Sequence, residues 1–130
     1  MKATVDAEQM ITPGDKGYID SLSATSPFAT SFEDDGDTGY FYALERTDGD
    51  IKILAALQIY VVAIARLVPH QLQIVWSHDG LKTALLVDGV AHAVFDFAAK
   101  HGYCRRAEAT ASADWDSDHS WSDVALDLFV

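Results

Sequence analysis

The chain has 130 residues, is 49% hydrophobic, and carries a net charge of −11 from 20 acidic and 9 basic side chains. At that length one domain, residues 1–130, buries on the order of two-thirds of its unfolded surface and needs no disulfide or metal staple. Strong negative charge opposes polyphosphate and anionic lipid surfaces, so neither nucleic acid nor membrane is an expected partner.

The charge is unevenly spread. Residues 1–50 hold eleven acids against three bases, residues 51–106 three acids against six bases, and residues 107–130 six acids and no base. Two acidic flanks thus bracket a mildly basic, apolar middle. Cys104 is the only cysteine, which excludes an internal disulfide and fits a reducing, cytoplasmic setting. Residues 1–6 carry a lone lysine and no apolar run, unlike a secretory leader. The longest uncharged apolar stretch, 53–65, is too short for the roughly 20 residues of a membrane helix.

In chain order, Val5 to Ile11 reads as a short strand, and Pro13-Gly14-Asp15 as a turn. Residues 21–27 read as a connection, with Pro27 opening the next strand. Phe28, Thr30 and Phe32 then alternate with Ala29, Ser31 and Glu33, and after an acidic turn Tyr40, Tyr42 and Leu44 alternate with Phe41 and Ala43. The two runs should pair as a hairpin braced by aromatic cross-strand contacts. After the turn at Asp48-Gly49, residues 51–67 mix helix-favouring Leu54, Ala55, Ala56 and Leu57 with β-favouring Ile59, Tyr60, Val61 and Val62. Their place between hairpins favours a buried central strand, entered by a helical turn.

Leu72, Ile74 and Trp76 mark a half-buried strand. Asp79-Gly80 and Asp88-Gly89 then separate two further runs, 81–87 and 90–97. Asp-Gly steps tolerate the positive φ angles of tight hairpins, so these neighbours should be antiparallel. In the second run Ala91, Ala93, Phe95 and Phe97 fall on one face and Val90, His92, Val94 and Asp96 on the other. Residues 98–101 read as a helical turn closed by Gly102, and residues 105–120 as a long loop. Ser120 or Ser122 could cap a short terminal helix carrying Trp121, Val124 and Leu128 across the apolar face of the sheet. The expected fold is α+β and β-rich: an antiparallel meander sheet of five to seven strands with one or two short helices, the last at the C-terminus.

No constellation points to catalysis. Ser77-His78-Asp79 has the residue types of a hydrolytic triad, but adjacent strand residues point to opposite faces and cannot form a relay. His92 and Asp96 share a face, yet four residues of strand set them roughly 13 Å apart. His101 and Cys104 could meet on a helical turn, although Gly102 interrupts it. Asp114, Asp116 and Asp118 have the opening spacing of a calcium loop, but His119 and Ala125 stand where glycine and glutamate are required. No metal ligands, no cofactor and no enzyme are expected.

The stretch Phe32-Glu33-Asp34-Asp35-Gly36-Asp37-Thr38-Gly39-Tyr40-Phe41-Tyr42-Ala43-Leu44 resembles the FEDDGxTGYFYAL signature of a bacterial family of small proteins of unknown function. Residues 74–82 and 91–97 are similar to a second block of that family. The resemblance implies a bacterial, single-domain cytoplasmic protein and carries over no catalytic residue. The residues themselves suggest a non-catalytic, acidic protein-binding domain. Tyr40 and Tyr42, flanked by Asp34, Asp35 and Asp37, would meet a basic protein partner, as in a toxin-neutralising immunity protein. The alternative is a small-molecule or cation-binding β-domain with Tyr42, Trp76 and His92 lining a concavity. A homodimer through an exposed strand edge is compatible with either.

Overall fold

The computed structural model describes residues 3–104, 109–111 and 116–118. Its strands are β1 (Ala3–Ile11), β2 (Gly17–Leu22), β3 (Phe28–Asp34), β4 (Thr38–Thr47) and β5 (Asp50–Val61), then a 3-10 turn at Val62–Ile64. After it come β6 (His70–Ser77), β7 (Lys82–Val87), β8 (Val90–Asp96), β9 (His101–Cys104), β10 (Ala109–Ala111) and β11 (Asp116–Asp118).

The strands form two sheets rather than one meander. One has six strands in the order β1-β6-β7-β8-β9-β11, and the other has five in the order β10-β5-β4-β3-β2. All the described pairings are antiparallel except β9 with β11. The expected hairpins all form, and the correction concerns how they are distributed. After β5 the 3-10 turn ends the first meander, and β6 begins a second by pairing with β1. Period-two alternation records which face of a strand is buried but not which sheet the strand joins, so two stacked sheets leave the same pattern as one.

Local chemistry explains the turns. Asp88 and Gly89 have φ of 52° and 81°, and Asp48 and Gly49 have 41° and 89°. Two successive positive values are what a two-residue hairpin of the favoured twist requires. Residues 51–61 are strand, as expected, but Ile51, Lys52 and Ile53 are exposed rather than buried, and the helical turn is at the exit instead of the entrance. The expected helical turn before Gly102 is replaced: Lys100 takes the positive φ of 54°, and Gly102 lies inside β9. Gly17–Leu22, expected to be partly connection, is strand β2, and the expected loop 105–120 contains β10 and β11. The expected terminal helix at 120–128 lies outside the described residues.

Between the sheets lies one core. Ile19, Phe32, Phe41, Leu57 and Ile59 come from the five-stranded sheet, and Leu72, Ile74, Leu85, Phe95 and Phe97 from the six-stranded side. Phe41 stacks on Phe95 with ring centres 5.1 Å apart, and Phe28 on Phe97 at 4.4 Å. Each such ring contributes roughly 1.5–3 kcal/mol by leaving water. A second buried cluster, Val75, Ala84 and Val94, occupies the opposite face of the six-stranded sheet.

Candidate functional site

The acidic motif at 33–39 is the tip of the β3–β4 hairpin, and its first aspartate is not a surface group. Asp34 follows Phe32 by two residues, so it shares the inward face and is only 2% exposed. Its carboxylate accepts the Gly14 and Gly36 N–H groups at 2.8 Å each and the Tyr60 hydroxyl at 2.5 Å. Asp34 thereby ties together the β1–β2 turn, its own hairpin and β5. The reading of Asp34 as a partner-binding residue is corrected on this ground: its oxygens are already committed inside the fold.

Tyr60 belongs to the same arrangement. Burial, reinforced by the hydrogen bond to Asp34 and its charge, raises the phenol well above its ordinary value of 10.0. The ring packs against Gly39, where a Cβ would come within 2.7 Å of Tyr60 Cζ. No larger residue fits beneath it.

Asp35 remains exposed and closes the turn, accepting the Asp37 and Thr38 N–H groups at 2.9 Å each. The bond from Asp37 N–H, with that from Thr38, holds its carboxyl below the usual carboxylate range. Asp37 is also exposed, and its carbonyl accepts the Val62 N–H at 2.8 Å. Of the three predicted aspartates, two are therefore on the surface.

The outward residues of the five-stranded sheet fall into cross-strand rows. Tyr18, Glu33, Tyr40 and Gln58 make one row; Asp20, Ser31, Tyr42 and Ala56 make the next; Leu22, Ala29, Leu44 and Ile53 make a third. Tyr18 is 66% exposed, Leu22 52% and Ile53 60%. Tyr40 and Tyr42, both half-buried, have ring centres 5.9 Å apart. Partial burial, followed by the charge of Glu33, pushes the Tyr42 phenol up. The structure thus brings predicted Tyr40 and Tyr42 together and adds Tyr18, Asp20 and Glu33. Tyr18 and Asp20 were missed because the one clear apolar residue of β2 facing inward is Ile19, too little alternation to mark a strand.

Trp76 and His92, expected to line one concavity, lie toward opposite ends of the sandwich. Trp76 is buried, stacks on Phe97 at 5.8 Å and donates from Nε1 to Ser21 Oγ at 2.7 Å. Ser21 in turn donates to Asp6 Oδ2 at 2.5 Å. An edge of Trp76 also lines a cleft of about 180 Å³ with Asp6, Ser23 and His78. Tyr42, on the outer sheet face, borders neither that cleft nor the cavity beside His92.

His92 sits at a bulge. Ala93 pairs with Leu85 and Ala91 with Leu86, leaving His92 as an extra residue of β8. The insertion shifts the alternation, so His92 borders a half-open cavity between the sheets instead of lying on the Val94 face as expected. The cavity, about 190 Å³, is walled by Ile11, Pro13, Ile59, Leu72 and Val87. Arg66, His70 and His92 supply its basic lining. His70 Nδ1 meets Asp88 Oδ2 at 2.6 Å, and its Nε2 donates to the Arg66 carbonyl at 3.1 Å. The His70 bond, with the Gln71 N–H, lowers the Asp88 carboxyl.

Ser77 Oγ donates to Asp79 at 2.6 Å and accepts the Lys82 N–H at 3.1 Å, while His78 is exposed. The hydroxyl is engaged in organising a turn. His101 and Cys104 lie on strand rather than helix, and the Cys104 thiol donates to the Gln58 carbonyl at 3.4 Å. Among the described residues no three His, Cys, Asp or Glu side chains converge as a metal site. Nor is any described helix long and apolar enough to cross a membrane.

A protein from Haemophilus influenzae (strain ATCC 51907 / DSM 11121 / KW20 / Rd), described as an uncharacterized protein, is 44% identical over 78 residues. That alignment covers 58% of this chain and 48% of the relative, so the chain spans about half of the relative's length. No solved structure matches the chain. The family model described as "Uncharacterized protein conserved in bacteria (DUF2251)" matches residues 11–130, and the chain belongs to that family.

Proposed function

We propose that this protein is a non-catalytic binding module that engages a basic protein surface through the outer face of its five-stranded sheet. The observation carrying the proposal is the set of rows in which Tyr18, Tyr40 and Tyr42 alternate with Glu33 and Asp20 on one exposed face. Tyrosine offers a large contact area at low entropic cost, and its hydroxyl tolerates both wet and dry states. Carboxylates around such anchors accelerate encounter with Lys/Arg-rich surfaces. Asp35 and Asp37 extend the acidic field beyond the sheet, whereas Asp34 serves the fold. Neutralisation of a basic toxin is one concrete form of this role.

The test places a photo-crosslinking amino acid at Tyr40 and, as a control, at Gln9 on the other sheet, in cells of the source bacterium. One basic protein captured from Tyr40 and not from Gln9 is the expected result. Its association rate with the purified chain should fall steeply with salt, and by about tenfold on joint Asp20→Asn and Glu33→Gln substitution. Equal capture from both positions, or a salt-independent association rate, would overturn the reading.

A further inference from the structure

The cavity at the His92 end has features the sheet face lacks. It is an apolar space between the two sheets, and its basic lining belongs to a chain of net charge −11. Asp88, the carboxylate beside that lining, is already engaged by His70 Nδ1 at 2.6 Å and the Gln71 N–H at 2.9 Å. The Arg66 side chain makes no ion pair with another described residue. On the same segment Ile64 and Leu67 are also exposed, at 76% and 60%.

We propose that this cavity binds a small carboxylate with an apolar body, such as an aromatic or short-chain aliphatic acid. A dry cavity of about 150 Å³ accommodates a benzene ring. The 190 Å³ here therefore suits a single six-membered ring or a chain of similar bulk. Ile59 of one sheet and Leu72 and Val87 of the other enclose that body, while the carboxylate meets Arg66. A planar guanidinium pairs with a carboxylate through two parallel N–H bonds. His92, brought inward by the bulge, borders the same space. Without the bulge, alternation would place His92 on the far face of the sheet.

Titration of the full-length chain with benzoate, followed by amide chemical shifts and calorimetry, tests the site. Benzyl alcohol and inorganic phosphate are the controls. Saturable one-to-one binding of benzoate is expected, with shifts concentrated at Ile11, Leu72, Val87 and His92. Benzyl alcohol and phosphate should each bind at least about tenfold more weakly. Arg66→Gln should weaken benzoate binding about tenfold and leave benzyl alcohol unchanged. Val87→Phe should abolish both by filling the space. Arg66 is exposed, so its variant keeps the test decisive even where Val87→Phe disturbs folding. Equal affinity for acid and alcohol, phosphate binding as tight as benzoate, shifts located elsewhere, or indifference to Arg66→Gln would each overturn the proposal.

Discussion

The two faces of the β3–β4 hairpin are built from alternate residues of the same thirteen-residue motif, yet they do different work. Inward, Phe32, Asp34 and Phe41 are buried, and Asp34 holds three donors from three parts of the chain. Outward, Glu33, Tyr40 and Tyr42 make the rows of an accessible face. A stretch that reads as a single acidic, aromatic patch is thus two interleaved sets. One fixes the structure, and the other is left on the surface. Parity along a strand, more than residue type, separates them.

Substitutions on the inward side should give the largest changes. Asp34→Ala strands the Tyr60 hydroxyl and two backbone N–H groups, and should cost about 3 kcal/mol or more in urea unfolding. Neutralising Asp35 should cost far less, since that carboxylate bridges an exposed turn. If the two variants were equally stable, the division between buried and exposed acids would fail.

The pH response sharpens the same contrast. The Tyr60 phenol is raised above its ordinary value of 10.0 in the folded state. A group raised by folding stabilises fully below its unfolded value and loses that contribution as pH rises beyond it. Stability should therefore decline above about pH 10, and Tyr60→Phe should flatten that decline while lowering stability at neutral pH. Melting temperatures between pH 8 and 11 for both proteins provide the check. A wild-type curve that falls no faster than the variant's would contradict the Asp34–Tyr60 arrangement.

A smaller effect tests the inward face from the opposite direction. Thr30 is fully buried and its hydroxyl has no hydrogen-bond partner among the described residues. Thr30→Val keeps the branched shape and removes an unsatisfied polar group, so a gain of up to about 1 kcal/mol is expected. Chemical denaturation reads it directly, and a clear loss would show that the hydroxyl is engaged.

Much of the fold was legible because its signals are local. Asp48-Gly49 and Asp88-Gly89 announced their hairpins through a backbone geometry few other pairs adopt. The buried status of Asp34 was also legible: it continues the Phe28, Thr30, Phe32 series by one more step of two. Acidity drew the reading outward, but parity was the stronger evidence. The partition into two sheets was not legible, because the β1–β6 pairing, from Ala3 with Ser77 to Ile11 with His70, joins segments far apart in the chain without a local mark. Nor was the inward turn of His92, since a one-residue bulge leaves no trace in alternating apolar residues such as Ala91, Ala93 and Phe95.

The most direct measurement is urea unfolding of the triple variant Tyr18→Thr, Tyr40→Thr, Tyr42→Thr beside Asp34→Ala. Threonine preserves strand preference while removing the rings. The triple variant should lose no more than about 1.5 kcal/mol, because partly exposed cross-strand contacts each contribute little. A loss matching that of Asp34→Ala would mean the tyrosine face is part of what holds the protein together, and would contradict its assignment as a surface for recognition.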